Sequence, residues 1–268
     1  MGPEPQRRVL RGPDRAPAAA PPGEVIVQFE IHNRPTYASL HVQLEPGDAV
    51  VTEAGAMMGM STGLSMDTKM TGGPWGALMR WLSGESLFLN TYTANRSAQR
   101  LDIAPAQPGD LVHVAMNGNA LIVQQGAYCA STPGVWINAQ WGGFRSLFAG
   151  EGLVMMRCQG SGDLWLSSYG AIHQVQVSGT CIVDTSHIVA FDESLAWFPK
   201  PVGDINSLLF SGEGLVMQFT GHGRLWLQTR CAPSLADFLH PFRRRMRWHR
   251  RCRLDPFWWW PFRRRRVG

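Results

Sequence analysis

Two sets of residues in this sequence have the types and spacing to do chemistry. The first is three glutamates, Glu85, Glu151 and Glu213, each following a glycine in a similar phrase: Ser-Gly-Glu-Ser-Leu at 83–87, Ala-Gly-Glu-Gly-Leu at 149–153 and Ser-Gly-Glu-Gly-Leu at 211–215. Three equivalent carboxylates could ring an axis and bind a cation. The plainer role is structural. A carboxylate at a strand start accepts from a turn amide, and turn backbones need such acceptors.

The second set is C-terminal. Arg243, Arg244, Arg245, Arg247 and Trp248 precede Phe257, Trp258, Trp259, Trp260 and Phe262, which run into Arg263, Arg264, Arg265 and Arg266. Pro256 and Pro261 interrupt any regular helix there. Tryptophan prefers the lipid headgroup boundary, and arginine is drawn to anionic lipid by about 1 kcal/mol per charge. The aromatic run is similar to tryptophan-rich cationic antimicrobial peptides over those few residues. An anionic membrane surface is therefore the first expected partner. Nucleic acid, held by arginine and base stacking, is the alternative. Residues 241–268 hold 11 arginines against one acid, a net +10, while residues 1–240 hold 14 basic and 19 acidic residues, a net −5. The basic character thus belongs to the tail.

Other chemistry is missing. The eight histidines include no H-x-H or H-x-x-x-H pair, so no metal and no cofactor is expected. His113 and His173 lie among alternating apolar residues and read as strand histidines facing solvent. No P-loop, dinucleotide fingerprint or Cys/His nucleophile arrangement occurs, so neither an enzymatic activity nor a small-molecule substrate is expected. Five scattered cysteines without a C-x-x-C read as reduced, packed thiols in a cytoplasmic compartment. The stretch from Met57 to Met66, with Met70 and 72–81 beyond it, reads either as a pliable loop that contacts protein or lipid or as a segment packed against the next subunit or its own core.

The elements that would carry these residues are strands. With 29 Gly, 18 Pro and 17% charged residues, the chain suits strands and turns better than a helical bundle. Residues 1–23 read as a disordered, proline-rich leader, 24–235 as a β domain and 236–268 as a disordered arginine–tryptophan tail. Val25, Val27, Phe29 and Ile31 alternate with Ile26, Gln28 and Glu30, a period-2 strand with one buried face. Internal repetition follows. Gly-Glu-Gly-Leu-Val-Met recurs 62 residues apart, and G-x-G and Leu-Trp-Leu 61 apart, between 148–166 and 210–228, with a diverged copy from Leu82. An upstream glycine (Gly47, Gly118, Gly179) lies 37, 32 and 33 residues before each Gly-Glu glycine. Three β units at about 40–105, 106–172 and 173–230 are expected. In each, the upstream glycine makes a turn and G-x-G (Gly160–Gly162, Gly221–Gly223) reverses a hairpin. A short helix is allowed at 76–82, 142–148 and 205–209. Trp165 and Trp226 belong in the core. No run of 18 apolar residues occurs, so no helical membrane span is expected.

At these residues the chain resembles the AIM24 family. The segments that carry the resemblance are Glu53-Ala-Gly-Ala-Met-Met58, Ser83-Gly-Glu-Ser-Leu-Phe-Leu89, Trp141-Gly-Gly143, Ser167-Ser-Tyr-Gly-Ala-Ile172, Ser211-Gly-Glu-Gly-Leu-Val216 and Leu225-Trp-Leu-Gln-Thr-Arg230. It spans Val25 to Arg230. It implies an all-β body akin to the tryptophan-attenuator RNA-binding protein, of double-stranded β-helix type, and implies no established enzymatic activity. Fungal relatives are mitochondrial and linked to inner-membrane organisation. Together these give an expected all-β, non-catalytic scaffold or binding protein. It would be a cytoplasmic homo-oligomer, peripheral at the inner face of a membrane.

Overall fold

The alternation at the start of the domain sets the first layer. Val27 is buried and Phe29 and Ile31 pack against the core, while Gln28, Glu30 and His32 face outward. The computed structural model describes residues 27–70, 88–138, 154–200 and 216–242. In chain order the strands are β1 (Gln28–His32), β2 (Ser39–Leu44), β3 (Ala49–Glu53), β4 (Met57–Met60), β5 (Leu64–Met70), β6 (Phe88–Ala94), β7 (Gln99–Ile103), β8 (Leu111–Gln124), β9 (Tyr128–Ser131), β10 (Val135–Asn138), β11 (Met155–Ser167), β12 (Ile172–Asp184), β13 (Ile188–Asp192), β14 (Ala196–Lys200) and β15 (Val216–Gln228).

Residues 1–232 and 233–268 form separate units. In the first, β1, β2, β7 and β4 make a four-stranded antiparallel sheet in that order. The other eleven strands make a second sheet, which runs β12-β15-β13-β8-β11-β9-β3-β6-β5, with β10 on β11 and β14 on β15. The sheets share a core. Leu40, Val42 and Leu44 of β2 and Leu101 and Ile103 of β7 cluster with Val50, Tyr92 and Trp165 of the larger sheet. A second cluster gathers Met116, Leu121, Val123, Tyr128, Leu164 and Trp226, and a third gathers Ile122, Phe191, Phe219 and Leu225. Phe191 and Phe219 meet edge-on, their centroids 4.9 Å apart. Trp165 and Trp226 are buried, as their place beside leucines predicts.

The glycines behave differently from the expectation. Gly160 and Gly162 do not reverse a hairpin: they lie inside the 13-residue strand β11, and Gly221 and Gly223 lie inside β15. Gly118 and Gly179 likewise sit within β8 and β12 rather than in turns between strands. The cause is that a positive φ need not reverse a chain. At Gly160 (φ +131°) and Gly162 (φ +136°) it bends the strand, and the register against β8 slips between Gln159 and Ser161. That slip is a bulge, one residue extra on one side of the ladder. Gly47 (φ +94°) does make the expected turn, between β2 and β3.

The methionine stretch also differs. Met57–Met60 is a strand paired to β7 and Leu64–Met70 a strand paired to β6, so both form ladder rather than loop. Met57, Met58, Met60 and Met66 are exposed on them. The three places allowed for short helices, and the leader, lie outside the described residues.

In the second unit, residues to 242 are described. Helix α1 (Ala232–Leu239) and a 3-10 turn (His240–Phe242) stand where a disordered tail was expected to begin. Pro233 in the first turn is tolerated because that turn's N–H groups have no intrahelical acceptor. Leu235, Phe238 and Leu239 recur at helical spacing, followed by Phe242. All four are exposed.

Candidate functional site

The residues singled out by sequence lie outside the described part of the chain: Glu85, Glu151 and Glu213, and the tail from Arg243 to Arg266. The described chemistry gathers elsewhere, on the outer face of the four-stranded sheet.

That face is built by alternation. Leu40, Val42 and Leu44 turn inward on β2, so Ser39, His41 and Gln43 turn outward. The register then sets the neighbours. Glu30 of β1 stands opposite His41, and His41 stands opposite Asp102 of β7, which faces Gly59 of β4. A polar row therefore crosses all four strands. His32 faces Ser39 one step along, and Gln43 faces Arg100 on the other side. The turn before β2 is tied down by Arg34, which donates to both carboxylate oxygens of Asp110, at 2.7 and 3.0 Å. Asp110 is buried and also accepts from the Leu111 amide at 2.8 Å.

The row is a hydrogen-bonded chain. Ser39 Oγ lies 2.9 Å from His41 Nε2, and His41 Nδ1 lies 2.6 Å from Asp102 Oδ1. Arg100 Nε donates to the same Asp102 oxygen at 2.6 Å, and its Nη2 lies 2.8 Å from His41 Nδ1. Burial would raise the Asp102 carboxyl, but the bonds and charges of Arg100 and His41 outweigh it and hold the group below the usual carboxylate range. The Asp102 carboxylate, which can only accept, and the Arg100 guanidinium, which can only donate, thus meet at the same His41 nitrogen, and the tautomer follows whichever of the two bonds is kept. The His32 ring lies tilted at 55° against His41 with centroids 4.5 Å apart and bonds Glu30 at 2.8 Å. That bond, and then the His32 charge, lowers the Glu30 carboxyl. Above the row opens a cleft of about 500 Å³, lined by Val27, Phe29, Glu30, His32, His41 and Arg100 among others.

Sequence reasoning missed this set because Asp102 comes from 61 residues away. The available signal was Ser-x-His on an alternating strand, which puts both side chains on one face. His113 also departs from expectation. It is covered by Phe29 (ring centroids 4.6 Å apart) and bonds Asp163 at 2.7 Å, so it is not simply solvent-facing; His173 is exposed, as expected. Trp165 sits beside it, fully buried, and its Nε1 has no hydrogen-bond partner among the described residues.

Two other places carry charge. Asp192, Glu193, Ser194, Arg224 and Asn119 line a second cleft of about 480 Å³, where Arg224 grips Asp192 through Nε and Nη2 at 3.0 and 2.9 Å. Glu53 ends β3, and burial pushes its carboxyl up to about 7. Cys129 and Cys158 are fully buried, and burial pushes the Cys158 thiol up to about 12. Such thiols are poor nucleophiles and poor metal ligands. No group of three or more His, Cys, Asp or Glu suited to a metal occurs among the described residues.

A family model described as mitochondrial biogenesis AIM24 matches residues 29–230. The chain belongs to the AIM24 family. An uncharacterized protein of Streptococcus pyogenes serotype M6 is 26% identical over 215 residues, 76% of this chain and 86% of that protein. The crystal structure of protein SPYM3_0169 from Streptococcus pyogenes superposes with a TM-score of 0.68 at 25% identity, over 81% of this chain and all of that one. The AIM24 match takes in the Ser39–His41–Asp102 row and ends before α1 and the arginine-rich tail.

Proposed function

We propose that this AIM24-family chain is a self-associating β scaffold that docks on anionic membrane surfaces through α1 and the arginine–tryptophan segment after it. The observation that carries the reading is α1 with its following turn. Leu235, Phe238, Leu239 and Phe242 are all exposed, and Arg243, Arg244 and Arg245 follow at once. Apolar residues at helical spacing next to a cationic cluster suit the boundary between acyl chains and headgroups. No helix among the described residues is long and apolar enough to cross a membrane, which suits contact from one side. On this reading the protein is cytoplasmic and works at the inner face.

Self-association rests on β12. It is a 13-residue edge strand whose partner among the described residues is β15, and it exposes Val175 and Ile182. It carries no lysine, arginine or proline, the usual guards of a free edge. The body is further read as three related β units in an arrangement akin to the tryptophan-attenuator protein. In support, the β8/β11 and β12/β15 pairs each run antiparallel over nearly their whole length, with a 3-10 turn after the first strand of each pair.

Cosedimentation of the full chain with phosphatidylserine-containing vesicles tests the membrane half. Binding at low salt, lost on deletion of residues 233–268 and weakened by Phe238→Glu, is the expected result. A full chain that stays in the supernatant overturns it. A gel shift on RNA that vanishes with the same deletion, without vesicle binding, transfers the tail to nucleic acid.

A further inference from the structure

Three short strands lie on longer ones with the same irregularity. On β7, Met57 faces Ile103, Gly59 faces Asp102 and Met60 faces Leu101, with Met58 skipped. On β11, Tyr128 faces Leu166, Ala130 faces Trp165 and Ser131 faces Leu164, with Cys129 skipped. On β15, Ile188 faces Leu227, Ala190 faces Trp226 and Phe191 faces Leu225, with Val189 skipped. β4, β9 and β13 therefore hold matching places, each a bulged strand with its other edge turned away from that ladder. Two of those edges are taken. Ala130 and Ser131 of β9 pair with Thr52 and Val51 of β3, and Ala190 and Phe191 of β13 pair with Val123 and Ile122 of β8. The third edge, on β4, has no partner strand among the described residues. One long strand is left over as well. β3 takes β9 and β8 takes β13, but β12 pairs only with β15 among the described residues.

We propose that the free edge of β12 is filled by β4 of a second copy of this chain, in the register of the two seams already present. β8 and β12 each run into a 3-10 turn, at Gln125–Ala127 and Thr185–His187. Ile122 and Val123 stand as far before the first turn as Ile182 and Val183 stand before the second. The new seam then sets Gly59 opposite Val183 and Met60 opposite Ile182, antiparallel. Exposure agrees. Ile122, Val123, Ala130 and Ala190 at the two formed seams are 0% exposed, whereas Met60 is 44% and Ile182 56% exposed. β4 carries no charge, and β12 carries no formal charge before Asp184, so the pairing buries no ion. Within one chain the two edges stay unpaired. Continuity with the β3/β9 and β8/β13 seams, which this sequence already makes, selects another copy of the chain over an unrelated strand. The contact joins unlike strands, so it is heterologous. This names the partner of the β12 edge and rests on the self-association reading; it is independent of the membrane reading.

Complementation between variants of the full chain tests it, read by light scattering on size-exclusion fractions. Met60→Glu should weaken self-association at least about tenfold, as Ile182→Lys should. An equal mixture of the two should recover paired chains, because each lends the other its intact strand. Circular dichroism establishes that each variant is folded. Cross-linking reads the register. Full chains with Met60→Cys or with Ile182→Cys, each also carrying Cys181→Ser and Cys252→Ser, are mixed and oxidised with diamide. A disulfide needs its two Cα atoms within about 7 Å. The mixed disulfide should therefore exceed either like-with-like dimer at least about tenfold. A wild type that elutes as a clean monomer removes the self-association reading and this proposal with it. Association that Ile182→Lys weakens and Met60→Glu does not, or a mixture that recovers nothing, removes this proposal alone. Like-with-like disulfides at position 182 in excess of mixed ones overturn it in favour of β12 on β12. A same-chain disulfide in the chain that carries both new cysteines, without a mixed one between copies, overturns it in favour of closure within the chain.

Discussion

Gly160 and Gly221 both hold a positive φ inside a long strand, yet their surroundings differ. A Cβ on Gly160 would stand 2.1 Å from the Gly134 carbonyl oxygen, in backbone that has φ +131°. At Gly221 the nearest atoms are 3.8 Å away and only the φ of +122° resists a side chain. Gly160→Ala should therefore cost about 3 kcal/mol or more, because strain and a displaced backbone add. Gly221→Ala should cost about 1–2 kcal/mol from strain alone. Urea denaturation midpoints of the two variants check this, and equal losses would contradict it. Glu53 gives a pH-dependent counterpart. Its folded carboxyl is raised to about 7 by burial, above its value in the unfolded chain. The folded state then holds a proton that the unfolded state has released, so stability is fullest at acid pH and falls as pH rises toward and through 7. Glu53→Gln removes that loss. It should stabilise the protein at pH near 8 by roughly 1–2 kcal/mol, allowing for the part of the side chain left in water, and should do little near pH 5. Melting temperatures across that range decide it.

β12 is the element whose sequence and position disagree most. A strand with Gln174, Gln176, Ser178 and Thr180 on one face and no formal charge before Asp184 would suit a ladder interior, but here it ends one. Unpaired N–H and C=O groups along such an edge are an invitation to another strand. Ile182→Lys places a charge that strand addition would have to desolvate. It should weaken self-association at least about tenfold, roughly 1.4 kcal/mol, with the fold unchanged. Light scattering on size-exclusion fractions reads this, and wild type eluting as a clean monomer would remove the basis for self-association. Elements also show where sequence was sufficient. Strand existence was legible wherever period-2 alternation met a buried core, as at Phe29 and Ile31 or Leu40, Val42 and Leu44. Strand ends were not, because a glycine with positive φ looks the same in a turn and in a bulge; Gly47 turned and Gly160 did not. The outer-face row was half legible. Ser39 and His41 share a face by spacing, but Asp102 joins them only through the register of β2 on β7. No local pattern states a pairing across 61 residues.

At the scale of the whole chain, charge is divided by position: residues 1–240 carry a net −5 and residues 241–268 a net +10. Near an anionic surface the two parts feel opposite forces, so the basic end should lead and the acidic β body should be held off. Two contributions hold the contact, and salt tells them apart. The arginine term is Coulombic and shrinks as the screening length falls from about 10 Å at 0.1 M salt to about 3 Å at 1 M. The apolar term from Leu235, Phe238, Leu239, Phe242 and the tail tryptophans is not screened. Binding to phosphatidylserine vesicles should therefore fall steeply between about 0.05 and 0.5 M salt and level off above zero. Phe238→Gln should remove part of the plateau and leave the slope, whereas replacing Arg243, Arg244 and Arg245 with glutamine should flatten the slope and leave the plateau. Cosedimentation of the three proteins across that salt series measures both. If the wild-type curve falls to zero, the exposed face of α1 does not enter the membrane. If it does not fall at all, the arginines are not what bring the protein there.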